Sequence, residues 1–248
     1  MSNPQIRKLR DHEEEVLDRS IKETIRFKKF DIQTYTWGNP DGKMVFLIHG
    51  WEGQAGNFAA LIDILIDKGY YIKAFDAPSH GHSSIGKTSM FEFAELVTQL
   101  IEQFKPAIIV SHSFGSVTSL MAMSKNPDIP IEKWIVVTTP HNFKDKINDV
   151  KHFLGLSDKV IAKVKTLVEE NTDLSIDEMN MTYFADKIGH IDEAIMIHSR
   201  KDKILPIDYA RKANQAIKQS TLIELDNHGH YSILWSDELQ EIIRNELN

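Results

Sequence analysis

The stretch that most constrains this chain is Ile108-Ile109-Val110-Ser111-His112-Ser113-Phe114-Gly115-Ser116, an apolar run that turns through a small polar corner into an amphipathic segment at 117–124. It predicts a strand, a sharp turn and a helix. A serine on such a corner is lifted out of the sheet onto a helix start, its hydroxyl exposed and the next backbone N–H directed at whatever it attacks. Only small residues fit on either side, because a Cβ there collides with neighbouring backbone. Ser111 and Gly115 meet that demand, and Ser113 is the candidate nucleophile.

A serine hydroxyl is a poor nucleophile at neutral pH, so it needs a general base, and the base needs an acid to hold its tautomer. Strand patterns recur at 30–37, 44–48, 70–75, 134–137, 193–198 and 221–225, with helical spacing at 55–67, 88–104, 208–218 and 237–247. The run 44–48 is apolar throughout, which suits a strand covered on both faces. This alternation predicts an α/β architecture: a mostly parallel central sheet with helices on both faces and ligands at the carboxyl ends of the strands. Asp202 follows one late strand, and His230 follows the last strand and precedes the closing helix. With Ser113 they fall on one edge of the sheet. Residues 38–42 carry a hairpin-type turn signal.

These residues resemble the α/β-hydrolase family. Its elbow is written Gly-x-Ser-x-Gly, with Ser111 at the first small position here, and its chain order is Ser, Asp or Glu, then His. The loop from Asp76 to Ser84 looks like the family's Asp-x-Pro-Gly-x-Gly-x-Ser segment with Ser79 for the first glycine. Ser199 to Pro206 is similar to its His-Gly-x-x-Asp-x-x-x-Pro segment, with Ser199 for the glycine. The likeness runs from about residue 34 to the end, outside one insertion. It implies a serine esterase in which Ser113, Asp202 and His230 are catalytic and no metal or organic cofactor takes part. The oxyanion hole would be the N–H groups of Phe114 and Trp51, the latter after His49-Gly50. Between His228 and His230, the family's glycine-then-histidine order favours His230. His80 and His82 can be read as a His-x-His metal pair, which needs at least a third ligand; a metallohydrolase using His80, His82, His228 and His230 is the alternative that metal analysis would discriminate.

Between 138 and 192 the alternation stops and only helical patterns remain, at 144–154, 157–169 and 175–188. The resemblance implies a helical cap inserted after the sixth strand, dividing the chain into a core (1–139 and 191–248) and a cap (140–190). Phe143, Phe153, Met179, Met181 and Phe184 are expected to roof the site, and His49, His112, Phe143 and Phe184 to contact the substrate. A single bulky residue at Trp51 limits space beside the oxyanion hole. The expected substrate is therefore a small-molecule carboxylic ester of small to medium acyl size; the alternatives are a hydrolase of the same fold acting on a thioester, lactone, amide or C–C bond, or a non-catalytic binding module. No basic cluster is expected to flank the motif loops, so a phosphate-bearing or polyanionic substrate has no evident counter-charge.

A net charge of −7 over 248 residues gives no reason to expect nucleic acid or an anionic membrane as partner. No apolar run approaches the roughly 20 residues that span a bilayer. The first residues lack the apolar core of a secretory leader, and there is no cysteine, so a cytoplasmic location is expected. Residues 5–29 have near-helical spacing and are expected as a surface helix or arm. Oligomeric state is left open.

Overall fold

The computed structural model describes residues 4–142, 144, 147, 151, 155–172 and 174–247. Eight strands form one sheet in the order β1-β2-β4-β3-β5-β6-β7-β8. They are β1 (Ile21–Phe27), β2 (Phe30–Gly38), β3 (Met44–Ile48), β4 (Tyr71–Phe75), β5 (Ile108–His112), β6 (Ile131–Val137), β7 (Ile191–Ser199) and β8 (Ser220–Leu225). Both pairings of β2, with β1 and with β4, are antiparallel, and every other pairing is parallel. The helices are α1 (Asp11–Asp18), α2 (Ala59–Asp67), α3 (Met90–Phe104), α4 (Phe114–Lys125), α5 (Asp158–Thr172), α6 (Met181–Ala185), α7 (Ile207–Ala216) and α8 (Asp237–Glu246).

The sheet separates two apolar layers. On one face the buried side chains of α3, α4, α6 and α7, such as Phe93, Leu120, Phe184 and Ala213, pack around Phe46 and Trp134. On the other, Leu17, Leu61 and Leu239 from α1, α2 and α8 pack around Tyr35, Val110 and Ile135. Adjacent residues of one strand thus serve opposite layers, and for that reason β3 is apolar throughout, as is β5 from Ile108 to Val110. The chain runs from β3 outward to β4, then crosses back to place β5 on the other side of β3. Strand order therefore reverses between β3 and β5, and the loops leaving those two strands diverge to open a crevice.

Three expectations are corrected. Residues 5–29 are not one helix: after α1 the chain becomes β1, because the β-branched stretch Ile21, Thr24 and Ile25 pairs with β2 from Ile21↔Thr36 to Phe27↔Phe30. The turn at 38–42 does not close a hairpin, since β4 lies between β2 and β3. Of the pattern at 175–188 only α6 is helical; the Asn180 side chain accepts from the Tyr183 N–H at 2.8 Å and starts the helix there, after a turn in which Ser175 N–H donates to Glu178. The pattern at 157–169 is α5, and most of 144–154 lies outside the described residues.

Candidate active site

The corner after β5 is built by exclusion of side chains. Ser113 sits at φ 54°, ψ −120°, in the sparsely populated positive-φ region, and its N–H is held 3.1 Å from the carbonyls of both Val137 and Thr138. A Cβ on Gly115 would lie 2.3 Å from the Ile48 carbonyl oxygen, and one on Gly50 would lie 2.9 Å from Ser113 Cβ. Ser111 replaces a glycine because its hydroxyl has a partner: it accepts the Trp134 indole N–H at 2.9 Å in a fully buried position.

Ser113 Oγ lies 2.9 Å from His230 Nε2, and His230 Nδ1 lies 2.8 Å from Asp202 Oδ2. The three residues come from the ends of β5, β7 and β8. Burial alone pushes Asp202 up, but the His230 hydrogen bond and charge, with the N–H groups of Leu205 and Ile204, hold its carboxyl below the usual range. An ionised Asp202 fixes Nδ1 of His230 as the donor. Nε2 is then free to accept the Ser113 proton.

Four more histidines, all buried, hold this frame. His49 Nδ1–H donates to the Gly50 carbonyl at 2.7 Å and Nε2 accepts the Ala77 N–H at 3.1 Å. His80 answers from the other loop: its Nε2 accepts the Glu52 N–H at 3.1 Å and its Nδ1–H donates to the Pro78 carbonyl at 3.0 Å. Trp51 thus lies between two ring-mediated ties. His112 Nε2–H donates to the His230 carbonyl at 2.9 Å, and burial lowers its pKa to about 3, so the ring stays neutral. His198, a position that the sequence alone does not mark out although it leads the Asp202 segment, donates from Nε2 to the Leu205 carbonyl at 3.0 Å and packs 3.7 Å from Asp202 Oδ2. Beneath the loop, buried Asp76 accepts from Tyr35 Oη, Ala55 N–H and His82 N–H. A Cβ on Gly81, at φ +47°, would fall 2.2 Å from that carboxylate.

Ser113 and His230 border a cavity of about 430 Å³. Trp51 and Phe114 line it beside the serine, while Ile147, Leu156, Ile161 and Val164 of the 140–164 stretch line the side opposite the strand ends. Phe114 opens α4, so its N–H has no acceptor within the helix. His49 and His112, expected to contact substrate, are buried to 1% and 2% exposure and are absent from this lining. Their rings are spent on backbone partners. Phe184 is also displaced: with Met179 and Met181 it lines a separate apolar cavity of about 40 Å³ against Val117 and Met121 of α4. Phe143 and Phe153 lie outside the described residues.

The absence of basic residues near the motif loops is also corrected. Lys201 and Lys203 flank Asp202, and the N-terminal segment brings Arg7 and Arg10 against the His230 loop, along a groove of about 550 Å³. No described helix is long and apolar enough to cross a membrane.

Residues 39–223 match the family described as serine aminopeptidase, S33. The uncharacterized hydrolase YugF of Bacillus subtilis is 24% identical over 246 residues, covering 83% of this chain and 88% of that one. A serine hydrolase-like protein of Homo sapiens is 30% identical over 115 residues, 44% of this chain and 56% of its own length. Among solved structures, the esterase Pf2001 of Pyrococcus furiosus superposes with a TM-score of 0.70 at 18% identity, covering 100% of this chain and 96% of that one.

Proposed function

The chain belongs to the S33 serine aminopeptidase-like family of α/β hydrolases, and from that premise we propose that it is a serine hydrolase that cleaves a carboxylic ester of small to medium acyl size through an acyl-enzyme on Ser113. The observation that carries this reading is the unbroken relay from Ser113 Oγ through the His230 ring to Asp202, at 2.9 and 2.8 Å. A strained elbow presents that relay at the mouth of an apolar cavity. The esterase and thioesterase domain among the structural neighbours share the fold of this chain.

In the mechanism, Ser113 Oγ attacks the carbonyl carbon while His230 Nε2 takes its proton. The oxyanion is met by the N–H groups of Phe114 and Trp51, each such donor worth roughly 2.7–4 kcal/mol of barrier. The tetrahedral intermediate collapses, His230 gives the proton to the leaving oxygen, and the alcohol departs. Water repeats the sequence on the acyl-enzyme and releases the acid. Asp202 stays ionised throughout and stabilises the imidazolium. Ile147, Leu156, Ile161 and Val164 act as the roof of the site: their apolar side chains exclude water and bound the acyl pocket.

The test is labelling with a fluorophosphonate followed by a p-nitrophenyl ester series from acetate to palmitate. Ser113 is expected to carry the label, with Ser113→Ala abolishing it, and kcat/KM is expected to peak at a short or medium chain. Labelling that survives Ser113→Ala, or a strong preference for palmitate, overturns the proposal.

A further inference from the structure

The groove beside the His230 loop is chemically unlike the cavity it adjoins. Arg7, Arg10, Lys201 and Lys203 line it, and no carboxylate is among its described lining residues. This is a concentration of positive charge in a chain whose net charge is −7. All four side chains are exposed, and among the described residues none forms an ion pair. The neighbouring carboxylates have other partners. Asp202 is held by His230 and Asp226 by Arg200; Glu13 and Glu52 share a smaller adjoining pocket with Arg7 and Arg10, but Glu13 accepts from the Arg10 backbone N–H, Asn57 and the Trp235 indole, and Glu52 from the Gln5 N–H, while Glu238 faces His228 at 3.2 Å.

Three of the four cations are also set in place. The Arg7 guanidinium stacks over Tyr231 at 4.9 Å, that of Arg10 over Trp235 at 3.7 Å, and Lys201 Nζ donates to Asn227 at 2.9 Å. Stacking on an aromatic face fixes the guanidinium plane and leaves its N–H edges directed outward, the geometry that binds phosphate oxygens in pairs. Ile204, His230 and Tyr231 belong to the walls of both the groove and the apolar cavity, so the two adjoin at the histidine of the relay.

That position identifies which half of a substrate the groove would hold. In acyl transfer the leaving group collects its proton from the histidine, so it departs on the histidine's side while the acyl chain lies with the serine and the oxyanion donors. Resting on the serine-hydrolase reading above, we infer that the substrate is an ester or thioester whose leaving group carries phosphate, seated between Arg7, Arg10, Lys201 and Lys203, with its acyl chain in the apolar cavity. The chemistry balances without a further reactant. The Ser113 Oγ–acyl bond forms as the bond from acyl carbon to leaving oxygen or sulfur breaks, and the serine proton passes through His230 to that atom. Water then releases the free acid.

The test compares butyryl-coenzyme A with S-butyryl-N-acetylcysteamine, which has the same thioester and the same first atoms of the leaving arm but no phosphate. The expected ratio of kcat/KM favours the coenzyme A ester by at least about thirtyfold at low salt, and it falls several-fold at about 0.5 M salt as the Debye length shrinks. In the Arg7→Ala/Lys203→Ala double variant the ratio drops by about tenfold or more. Equal kcat/KM for the two thioesters, or a preference that survives both salt and the double variant, overturns the inference. Calorimetric titration of free coenzyme A into Ser113→Ala protein reads the groove without turnover. Binding that weakens with salt, and when Arg7→Ala and Lys203→Ala are added to Ser113→Ala, supports it, and absence of binding overturns it. Binding without fluorophosphonate labelling of wild-type Ser113 would instead sink the hydrolase reading and leave the anion site standing.

Discussion

The strand ends and the segment facing them across the cavity are held by different forces. At the strand ends, His49, His80, His198 and His230 each have both ring nitrogens within hydrogen-bond distance of a partner, and Asp202 accepts from two backbone N–H groups besides His230. In the facing segment the described residues Ile147, Ile161, Val168 and Ile176 instead form a small apolar cluster of their own, apart from the two main layers. Directional bonds fix atoms to fractions of an ångström, whereas apolar packing fixes volume. Proton transfer needs the first kind of order and acyl-chain selection needs the second.

The largest effect should come from breaking the relay. Asp202→Asn removes the charge that sets the His230 tautomer, and kcat is expected to fall by about four orders of magnitude with little change in KM. Steady-state kinetics with p-nitrophenyl butyrate measures it, and a loss under tenfold would refute the role. His230→Ala should cost at least about a thousandfold. His228→Ala should cost a few-fold at most, because its ring lies 3.2 Å from exposed Glu238 and its backbone N–H, which any residue keeps, is what bonds Ser199. The reverse ranking would reassign the base.

A smaller effect tests the buried frame through pH. His112 is neutral when folded, with a pKa lowered to about 3 by burial first and by the neighbouring His230 charge second. Unfolded, it titrates near the ordinary histidine value of about 6.5. The unfolded chain therefore binds an extra proton between these values, and the stability present above about pH 6.5 is lost as pH falls towards 3. His112→Phe should flatten that acid slope by up to one proton. It should also cost about 1–3 kcal/mol at pH 7, since the buried His230 carbonyl loses its donor. Urea denaturation at several pH values reads both quantities, and an unchanged slope would mean that the ring is not held neutral.

Much of this was legible in the chain because local rules carried it. The apolar runs of β3 to β7 needed no tertiary information, and Ser113, Asp202 and His230 each stand just past a strand whose end was marked by polarity. Other features depend on contacts that spacing does not encode. Ser111 is explained by an indole 23 residues away, and the burial of His49 and His112 follows from loops that meet only after the sheet assembles. Arg7 and Arg10 lie far from Tyr231 and Trp235 in the chain, and only the return of the N-terminal segment over α8's approach brings them to the groove. Phe184 was misplaced because a long helical pattern was expected where Asn180 starts a short one, and the ring consequently turns to α4.

The smallest predicted effect sharpens the comparison from the side of the packed segment. Ile161 projects from α5 into the cavity wall that also holds Leu156 and Val164, and it is buried to 7% exposure in the small cluster. Ile161→Ala widens the pocket where an acyl tail would end and touches none of the relay. A deleted methylene-scale contact changes discrimination by about 1–3 kcal/mol at most. The ratio of kcat/KM for octanoate over acetate should therefore rise by roughly tenfold, while the acetate value alone moves little because its two carbons stay beside Trp51 and Phe114. Ile161→Trp should shift the same ratio the other way by filling that space. A chain-length profile that both variants leave unchanged would show that this segment does not bound the acyl site, and the division of labour between strand ends and packed segment would have to be abandoned.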